Sequence, residues 1–449
     1  MYKAGTAVRN AFLRLSALGV VVLAPSCSDP APAPTSAPIE VGTLSSVSGD
    51  LASVGLEFND ATSLALEDIN ASGGVLGRPV KLLVQDDGTT PDGAKEGYPK
   101  LLSAKVPFIL GPTTSAQVSS IIDLIAGGST VTIGRTTTAD RLRDLPDNGL
   151  FYRLCPADVF QARVLVALAV DSGIEHLCLV HRRDIYGNNL AASVMEGLEG
   201  SGKGIEITTS EYDPSTSNVS GVIARCDALL CKGGADGGAG GADAGTGGCV
   251  APPPEKVGLM MISFIEDGAL LMDDAAQRGW SAQRQKYFFS DGVYDRGILT
   301  RVKDVDALEG AIGTSPAGPD PALPEGEPLR EFLARYKARF GRDPSVFVEN
   351  AYDSMYVAAI AMEIAGLTTP GAALNDAMKK VSVPGGKKVH AGDWKGIREA
   401  IASKEPIDFV GASGTVDFDE QGDVLPPYNY IIWRIENGQL VVQRYVVVN

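Results

Sequence analysis

Short apolar segments alternate with amphipathic segments through most of this chain. The apolar segments 39–44, 80–84, 108–110 and 131–133 have the length and continuous apolar character of buried strands. Between them apolar side chains recur at helical spacing, first at Phe58, Ala61, Leu64, Ala65 and Ile69 and then over 93–104 and 115–126. Because buried strands joined by helical crossovers form parallel sheets covered on both faces, this pattern predicts a doubly wound α/β lobe.

The same alternation restarts after an apolar segment at 151–154. Helical spacing over 159–171, 187–200, 217–230 and 266–278 separates apolar strands at 177–180, 205–209, 257–262 and 287–289. The fold class predicted is therefore α/β, with two doubly wound parallel-sheet lobes. Such sheets bind ligands at the carboxyl ends of their strands. We expect the loops that follow these strands to converge on one cleft between the lobes, namely 45–54, 111–115, 134–138, 181–187, 263–266 and 290–294.

The first 26 residues have the pattern of a secretory signal peptide. Lys3, Arg9 and Arg14 precede a short apolar run at 15–24. Small residues then lead to Cys27, as in a bacterial lipobox where the cysteine thiol is acylated, although Pro25 is atypical for that motif. An ordinary signal peptide cleaved nearby is the alternative. Residues 27–38 are a Pro-rich tether. We expect an extracytoplasmic protein, held at the membrane through a lipid anchor and not through a spanning helix.

The composition of the chain argues against several classes of function. The 449 residues suggest two or three domains, and a formal net charge of −16 argues against binding nucleic acid through its phosphates. No internal segment reaches the roughly 20 apolar residues that a membrane helix needs. With three histidines and six scattered cysteines, the sequence predicts neither a metal site nor a cofactor.

A glycine-rich insertion at 232–254 interrupts the second lobe, with nine glycines among residues 233–248. We expect a flexible loop, since the segment lacks the residues of a phosphate-binding loop. Cys226, Cys231 and Cys249 bracket it, and a disulfide among them, Cys231–Cys249 first, is expected in an oxidising compartment. Cys178 lies in an apolar strand and is predicted to be an inert buried thiol. A metal site with His176 and His181 is disfavoured, because alternation along a strand places residue 181 on the opposite face.

Hydroxyl groups cluster after two neighbouring strands. The loop 111–115 ends one strand and opens a helix, so its free N–H groups and the Ser115 hydroxyl suit a carboxylate, although Ser115 could instead only cap the helix. The next strand is followed by Thr136, Thr137 and Thr138. Asp291 supplies an acceptor for a cation, its alternative role being that of a turn residue before Gly292. Donors and an acceptor together predict a site for a zwitterion.

The sequence resembles the type I periplasmic solute-binding proteins of the leucine/isoleucine/valine-binding family, which serve ABC transporters. The resemblance extends from residue 39 to residue 445 and rests on the order and spacing of several motifs. These are LEDINASGGVLG (66–77), QDD (85–87), GPTTS (111–115), DIYG (184–187), YKARFGRDP (336–344), AYD (351–353) and GTVDFDEQGD (414–423).

This resemblance implies two αβ lobes joined by three hinge crossovers, near residues 154–156, 312–315 and 413–416. Lobe 1 would comprise residues 39–154 and 313–414, and lobe 2 residues 155–312 and 415–449. Such a molecule closes on its ligand as a hinged trap.

The resemblance also implies roles for individual residues. Ser115 would bind the ligand carboxylate, Thr136 and Thr138 the amino-acid head group, and Asp291 the ammonium. Tyr186 matches an aromatic lid residue of the second lobe, although a packed corner tyrosine is the alternative.

Three further positions depart from the family pattern. Phe264 stands where a tyrosine is frequent, and it lacks the hydroxyl that makes one polar contact in the family. Val54 occupies a wall position that can hold a bulky aromatic residue. Arg135 replaces a frequent proline, and is either solvated or adds a charge for a more acidic ligand.

The function expected is the capture of a small polar solute by a monomeric binding protein. An amino acid of the branched-chain type or a related one is favoured, with small carboxylates or amides as further ligands, and an ABC permease with its ATPase as partners. The alternative is a sensory protein of the same fold that informs a receptor or regulator. An enzyme is disfavoured, because the sequence has no nucleophile elbow, zinc-protease motif or Walker loop.

Overall fold

The computed structural model describes residues 37–215, 218–219, 221–230 and 252–449. The signal sequence, Cys27, most of the tether and the core of the glycine-rich insertion lie outside the described residues. Cys231 and Cys249 lie there too, so their disulfide stays a prediction.

Strands and helices alternate along the chain as the hydrophobic pattern predicts. The strands are β1 (Ile39–Ser45), β2 (Val80–Asp86), β3 (Phe108–Leu110), β4 (Val131–Gly134), β5 (Phe151–Arg153), β6 (His176–Arg182), β7 (Glu206–Tyr212), β8 (Val257–Ile262), β9 (Lys286–Phe289), β10 (Ile312–Ala317), β11 (Lys387–His390), β12 (Ile407–Gly411), β13 (Gly414–Thr415), β14 (Tyr428–Glu436) and β15 (Gln439–Val448). The helices are α1 (Ala52–Ala71), α2 (Pro91–Ser103), α3 (Ser115–Ala126), α4 (Asp158–Asp171), α5 (Ile185–Gly200), α6 (Val222–Leu230), α7 (Ile265–Gln277), α8 (Gly297–Arg301), α9 (Glu327–Phe340), α10 (Val348–Ala365), α11 (Ala372–Met378) and α12 (Trp394–Ala402).

Two main sheets form the cores of two lobes. The first sheet has the order β2-β1-β3-β4-β5 and is parallel throughout. The second has the order β15-β14-β10-β9-β8-β6-β7, parallel except where β14 pairs with β10 and β15. Helices pack on both sheets and the strands are largely buried. The predicted α/β class with parallel-sheet lobes is confirmed.

The chain passes between the two sheets more than once. The first lobe contains the first sheet, helices α1–α3 and α9–α12, and a small sheet of β11, β12 and β13; the second lobe contains the second sheet and α4–α8. The sequence assigned residues from 313 onward to the first lobe. In the structure β10 pairs with β9 and β14 as far as Ala317, so that strand lies in the second lobe. Because β10 is paired on both sides, the chain crosses to the first lobe only after Ala317, later than the predicted crossover near 312–315.

A disulfide joins Cys178 in β6 to Cys226 in α6, with 5.8 Å between their Cα atoms. The prediction that Cys178 is an inert thiol is therefore wrong. Helix α6 connects β7 to β8, the two neighbours of β6, and packs on that strand, which places Cys226 over Cys178. Cys155 is a free, buried cysteine, and burial raises the pKa of its thiol to about 12.

Candidate functional site

A cavity of about 500 Å³, counting its open mouth, lies between the two lobes. The structure brings every ligand-binding candidate of the sequence to its wall, namely Val54, Ser115, Thr136, Thr138, Tyr186, Phe264 and Asp291. They meet there because each follows the carboxyl end of a strand or begins the helix after it.

The Ser115 side chain does not cap helix α3. Thr114 is the N-cap of α3: its hydroxyl accepts from the Gln117 N–H at 3.3 Å, and the Gln117 side chain accepts from the Thr114 N–H at 2.8 Å. The alternative role of Ser115 as the cap is therefore wrong. Its oxygen accepts from the Ala139 N–H at 3.2 Å, which leaves the Ser115 hydroxyl hydrogen available to donate to an anion in the cavity. The start of α3 adds its own partial positive charge.

Thr136 and Thr138 follow β4, the neighbour of β3 in the first sheet. The Thr136 hydroxyl donates to the carbonyl oxygen of Thr113, which ties together the two loops that form this wall. The Thr138 carbonyl oxygen accepts from the Asp158 N–H at 2.8 Å. Thr138 thus connects the first lobe to the first turn of α4 in the second lobe, and it also lines the cavity.

Asp291 provides a buried carboxylate from the second lobe. The Tyr186 hydroxyl donates to Asp291 Oδ1 at 2.8 Å and lies 2.9 Å from the Ser290 hydroxyl oxygen. Burial raises the pKa of Asp291, and the Tyr186 hydrogen bond partly opposes this. A Cβ at Gly292 would lie 2.3 Å from the Ser263 carbonyl oxygen, so glycine permits the close approach that aims Asp291 inward.

Phe264 packs between charged and aromatic neighbours. Its ring stacks on Tyr186 with 5.5 Å between the centroids, and the Arg182 guanidinium carbon lies 3.6 Å from its centroid. Arg182 is fixed in turn by ion pairs to Asp184 at 2.6 Å and Asp267 at 2.9 Å. Phe264 has no hydroxyl to offer a ligand. This wall of the cavity instead presents its ring, which Tyr186 and the Arg182 guanidinium hold in a fixed position.

An apolar wall completes the cavity beside Val54. It consists of Leu51 and Phe58 around α1, Ile265 at the start of α7, and Val346 and Phe347 before α10. Val346 and Phe347 were not predicted from the sequence, because they precede a helix far along the chain and follow no strand. Tyr294 and Asp295 of the second lobe also line the cavity. Tyr294 is the last residue of the predicted loop 290–294, whereas Asp295 lies one residue beyond it and was not predicted.

Arg135 is buried beneath the cavity and does not form part of its wall. It has no exposed surface, and its guanidinium carbon lies 5.1 Å from the Phe58 ring centroid. Among the described residues its three side-chain nitrogens have no hydrogen-bond partner. Burial lowers the pKa of Arg135 to about 10, and the nearby charge of Asp87 opposes this. The solvated alternative is wrong.

Neither a metal cluster nor a spanning helix occurs in the described part of the chain. There, no group of three or more histidine, cysteine, aspartate or glutamate residues is arranged to hold a metal ion. No helix in the same residues is long and apolar enough to cross a membrane.

The geometry of two lobes around one cavity agrees with the comparisons to known proteins. The family model described as periplasmic binding protein matches residues 38–400. The chain therefore belongs to the periplasmic binding protein family, with the type I fold that the sequence motifs predicted.

Curated relatives are distant. An uncharacterized protein of Methanocaldococcus jannaschii is 29% identical over 44% of this chain, and the match spans about half, 49%, of that relative. Leu/Ile/Val-binding protein homolog 3 of Brucella melitensis is 23% identical over 90% of this chain and 93% of its own length. The chemotactic signal transduction system substrate-binding protein BasB of Halobacterium salinarum is 23% identical over 85% of this chain and 83% of its own.

Solved structures share the fold at low identity. The leucine-binding protein LivK of Thermotoga maritima superimposes with a TM-score of 0.71 at 16% identity, covering 91% of this chain and 98% of that one. The substrate-binding protein LivJ of Streptococcus pneumoniae, in complex with isoleucine, gives a TM-score of 0.70 at 18% identity over 92% and 99% of the two chains.

Proposed function

We propose that this protein is an extracytoplasmic binding protein that captures an amino acid between its lobes for an ABC importer. The observation that carries the proposal is the opposition of Ser115 and Asp291 across one cavity. The first offers a hydroxyl donor at a helix start for a carboxylate, and the second a buried acceptor for an ammonium group. An amino-acid head group satisfies both at once.

The apolar wall around Val54 and Phe347 suits an aliphatic side chain of branched-chain type. The names of the relatives support the same class, since several are Leu/Ile/Val-binding proteins. Small carboxylates and amides, which use fewer of the polar groups, are expected to bind more weakly.

Capture works by a shift in population between open and closed lobes. A ligand held by Ser115 on one side and by Asp291 and Tyr186 on the other binds the closed state better than the open one. It stabilises that state by the difference between the two affinities. No bond in the ligand needs to break. The closed molecule is then the form that an ABC permease would recognise.

A sensory role is the second candidate, and the named chemotactic relative BasB favours it. Both roles use the same hinge, and they differ in the membrane protein that reads the closed state. Deletion of the gene separates them: loss of ligand uptake supports transport, whereas intact uptake with a lost behavioural or transcriptional response supports sensing.

Export and anchoring complete the proposal. The charged and apolar N-terminal run followed by Cys27 supports a lipid anchor on a monomeric, exported protein. Metabolic labelling with a radioactive fatty acid tests it: label incorporated by the full chain and lost in Cys27→Ala supports acylation, and label absent from both argues against it.

The ligand proposal is tested by calorimetric titration of the full chain with branched-chain amino acids, other amino acids and small carboxylates. We expect the branched-chain amino acids to bind. Ser115→Ala and Asp291→Asn should each weaken binding by about tenfold or more, the usual effect of removing a charge-assisted hydrogen bond. Ser119→Ala, on the same helix but outside the cavity wall, is the matched control and should bind normally. Binding that is unchanged in both site variants would exclude this site.

A further inference from the structure

Asp158 is a fully buried carboxylate next to the ligand cavity. It is the first residue of α4 and has no exposed surface. Its N–H donates to the Thr138 carbonyl oxygen, so the backbone is satisfied. Among the described residues, however, no donor reaches either of its side-chain oxygens with hydrogen-bond geometry.

The groups facing Asp158 are mostly acids and neutral side chains. Asp291 and Asp140 add like charges, and the Thr138 hydroxyl lies nearby. Cys155 and the buried tyrosines Tyr186 and Tyr430 also lie within electrostatic range of it. The Tyr430 hydroxyl is itself buried without a partner among the described residues.

The cation in this neighbourhood, Arg153, is already engaged. Its Nε donates to Asp423 Oδ1 at 2.6 Å and its Nη2 to Asp423 Oδ2 at 2.7 Å, a bidentate pair. Its Nη1 donates to the carbonyl oxygens of Thr137 and Ala139. Two coupled carboxylates, Asp158 and Asp291, are therefore buried together without an ion-pair partner among the described residues.

Such a pair disfavours two negative charges and attracts one positive charge strongly. Asp291 lines the cavity, and so does Thr138, whose carbonyl oxygen is bonded to Asp158. A cationic group bound at Asp291 consequently lies in the field of Asp158 as well, in a site with little water to screen it.

We propose that Asp158 is a specificity-determining residue that makes the cavity select ligands with an ammonium group over isosteric ligands without one. The inference rests on the proposed function and extends it: Asp291 contacts the ammonium, whose positive charge compensates a second negative charge on Asp158 behind it. Amino acids are thereby separated from hydroxy acids and simple carboxylates of the same shape, which would leave the pair uncompensated.

The test compares leucine with 2-hydroxy-4-methylpentanoate, the same molecule with a hydroxyl in place of the ammonium. Calorimetry on the full chain should show that Asp158→Asn weakens leucine binding by about ten- to a hundredfold, while affinity for the hydroxy acid stays the same or rises. Glu349→Gln, which removes another buried carboxylate that does not line the cavity, should leave the preference intact. An unchanged preference in folded Asp158→Asn would overturn the inference.

Failure of this inference can be told apart from failure of the proposed function and from failure of the variant to fold. If the unaltered protein binds no amino acid at all, the proposed function itself is wrong. If Asp158→Asn does not fold, a crystal structure of the unaltered protein with leucine decides: an ammonium nitrogen directed toward Asp291 and Asp158 supports the inference. An ammonium directed to the opposite lobe contradicts it.

Discussion

Arg182 holds Phe264 in place by stacking, with the guanidinium carbon 3.6 Å from the ring centroid. The same guanidinium pairs with Asp184, which caps α5 by accepting from the Gly187 N–H at 2.9 Å. It also pairs with Asp267, whose other oxygen accepts from the Phe264 N–H at 2.8 Å. One buried cation therefore fixes the helix that carries Tyr186 and the ring that packs against it.

Substitution of Arg182 by methionine should destabilise the second lobe. Removal of the cation leaves the buried Asp267 and the half-buried Asp184 without their ion-pair partner, and loss of the partner of a buried charge typically costs about 3–5 kcal/mol. Chemical denaturation measures the loss. Arg183→Met, at the neighbouring exposed position, is the control and should change the free energy of unfolding by less than about 0.5 kcal/mol. Equal effects of the two substitutions would contradict a structural role for the Arg182 network.

An ion pair crosses the mouth of the cleft between Arg296 of the second lobe and Asp343 of the first, at 3.3 Å. In the proposed hinge motion this pair exists in the closed state. Because it is exposed, Arg296→Gln should weaken ligand binding by only about two- to fivefold, and high salt should remove the difference. Lys81→Gln breaks the exposed pair with Glu40 inside the first lobe and should not affect binding. A larger effect of Lys81→Gln would count against the cross-cleft pair.

Glu349 should make stability depend on pH. Burial at the start of α10 raises its pKa from 4.5 to about 7, with the charge of Asp353 adding to the shift. A carboxyl whose pKa is raised in the folded state favours folding below its unfolded pKa. That advantage is lost as the pH rises from about 4.5 through 7.

Glu349→Gln removes this dependence. The variant should gain about 3 kcal/mol relative to the unaltered protein between pH 4 and pH 8, an upper value from the size of the shift. Denaturation curves across that range measure it. Glu399→Gln, on an exposed side of α12, should follow the unaltered protein at every pH. A constant difference between Glu349→Gln and the unaltered protein would show that Glu349 does not ionise in this range.

The Cys178–Cys226 disulfide should stabilise the second lobe by constraining the unfolded chain. A sequence separation of 48 residues corresponds to about 4 kcal/mol in the loop-entropy model. Cys226→Ser should therefore lower the denaturation midpoint under oxidising conditions. Under reducing conditions the variant and the unaltered protein should converge. Cys155→Ser keeps the disulfide, so its stability should still respond to reductant.

Local patterns explain how much of this protein could be predicted from its sequence. Strand β8 and helix α3 have the bounds that periodicity predicts. The reason is that the pattern of apolar residues in a buried strand or an amphipathic helix depends only on residues that are neighbours in sequence. The same logic located Ser115, Thr138 and Asp291, since residues after parallel strands lie at one edge of a sheet.

Tertiary packing decided the rest. Cys226 meets Cys178 because α6 packs on β6, and Phe347 reaches the cavity from the start of α10, far along the chain. Asp158 could not be singled out from the sequence, because its environment depends on burial, which leaves its side-chain oxygens without hydrogen-bond donors among the described residues. The sequence by itself determined the order of the elements and the strand ends that carry the candidate binding groups. Only the tertiary structure decided which side chains, distant in sequence, are buried together away from water, because the desolvation of a group depends on every element packed around it.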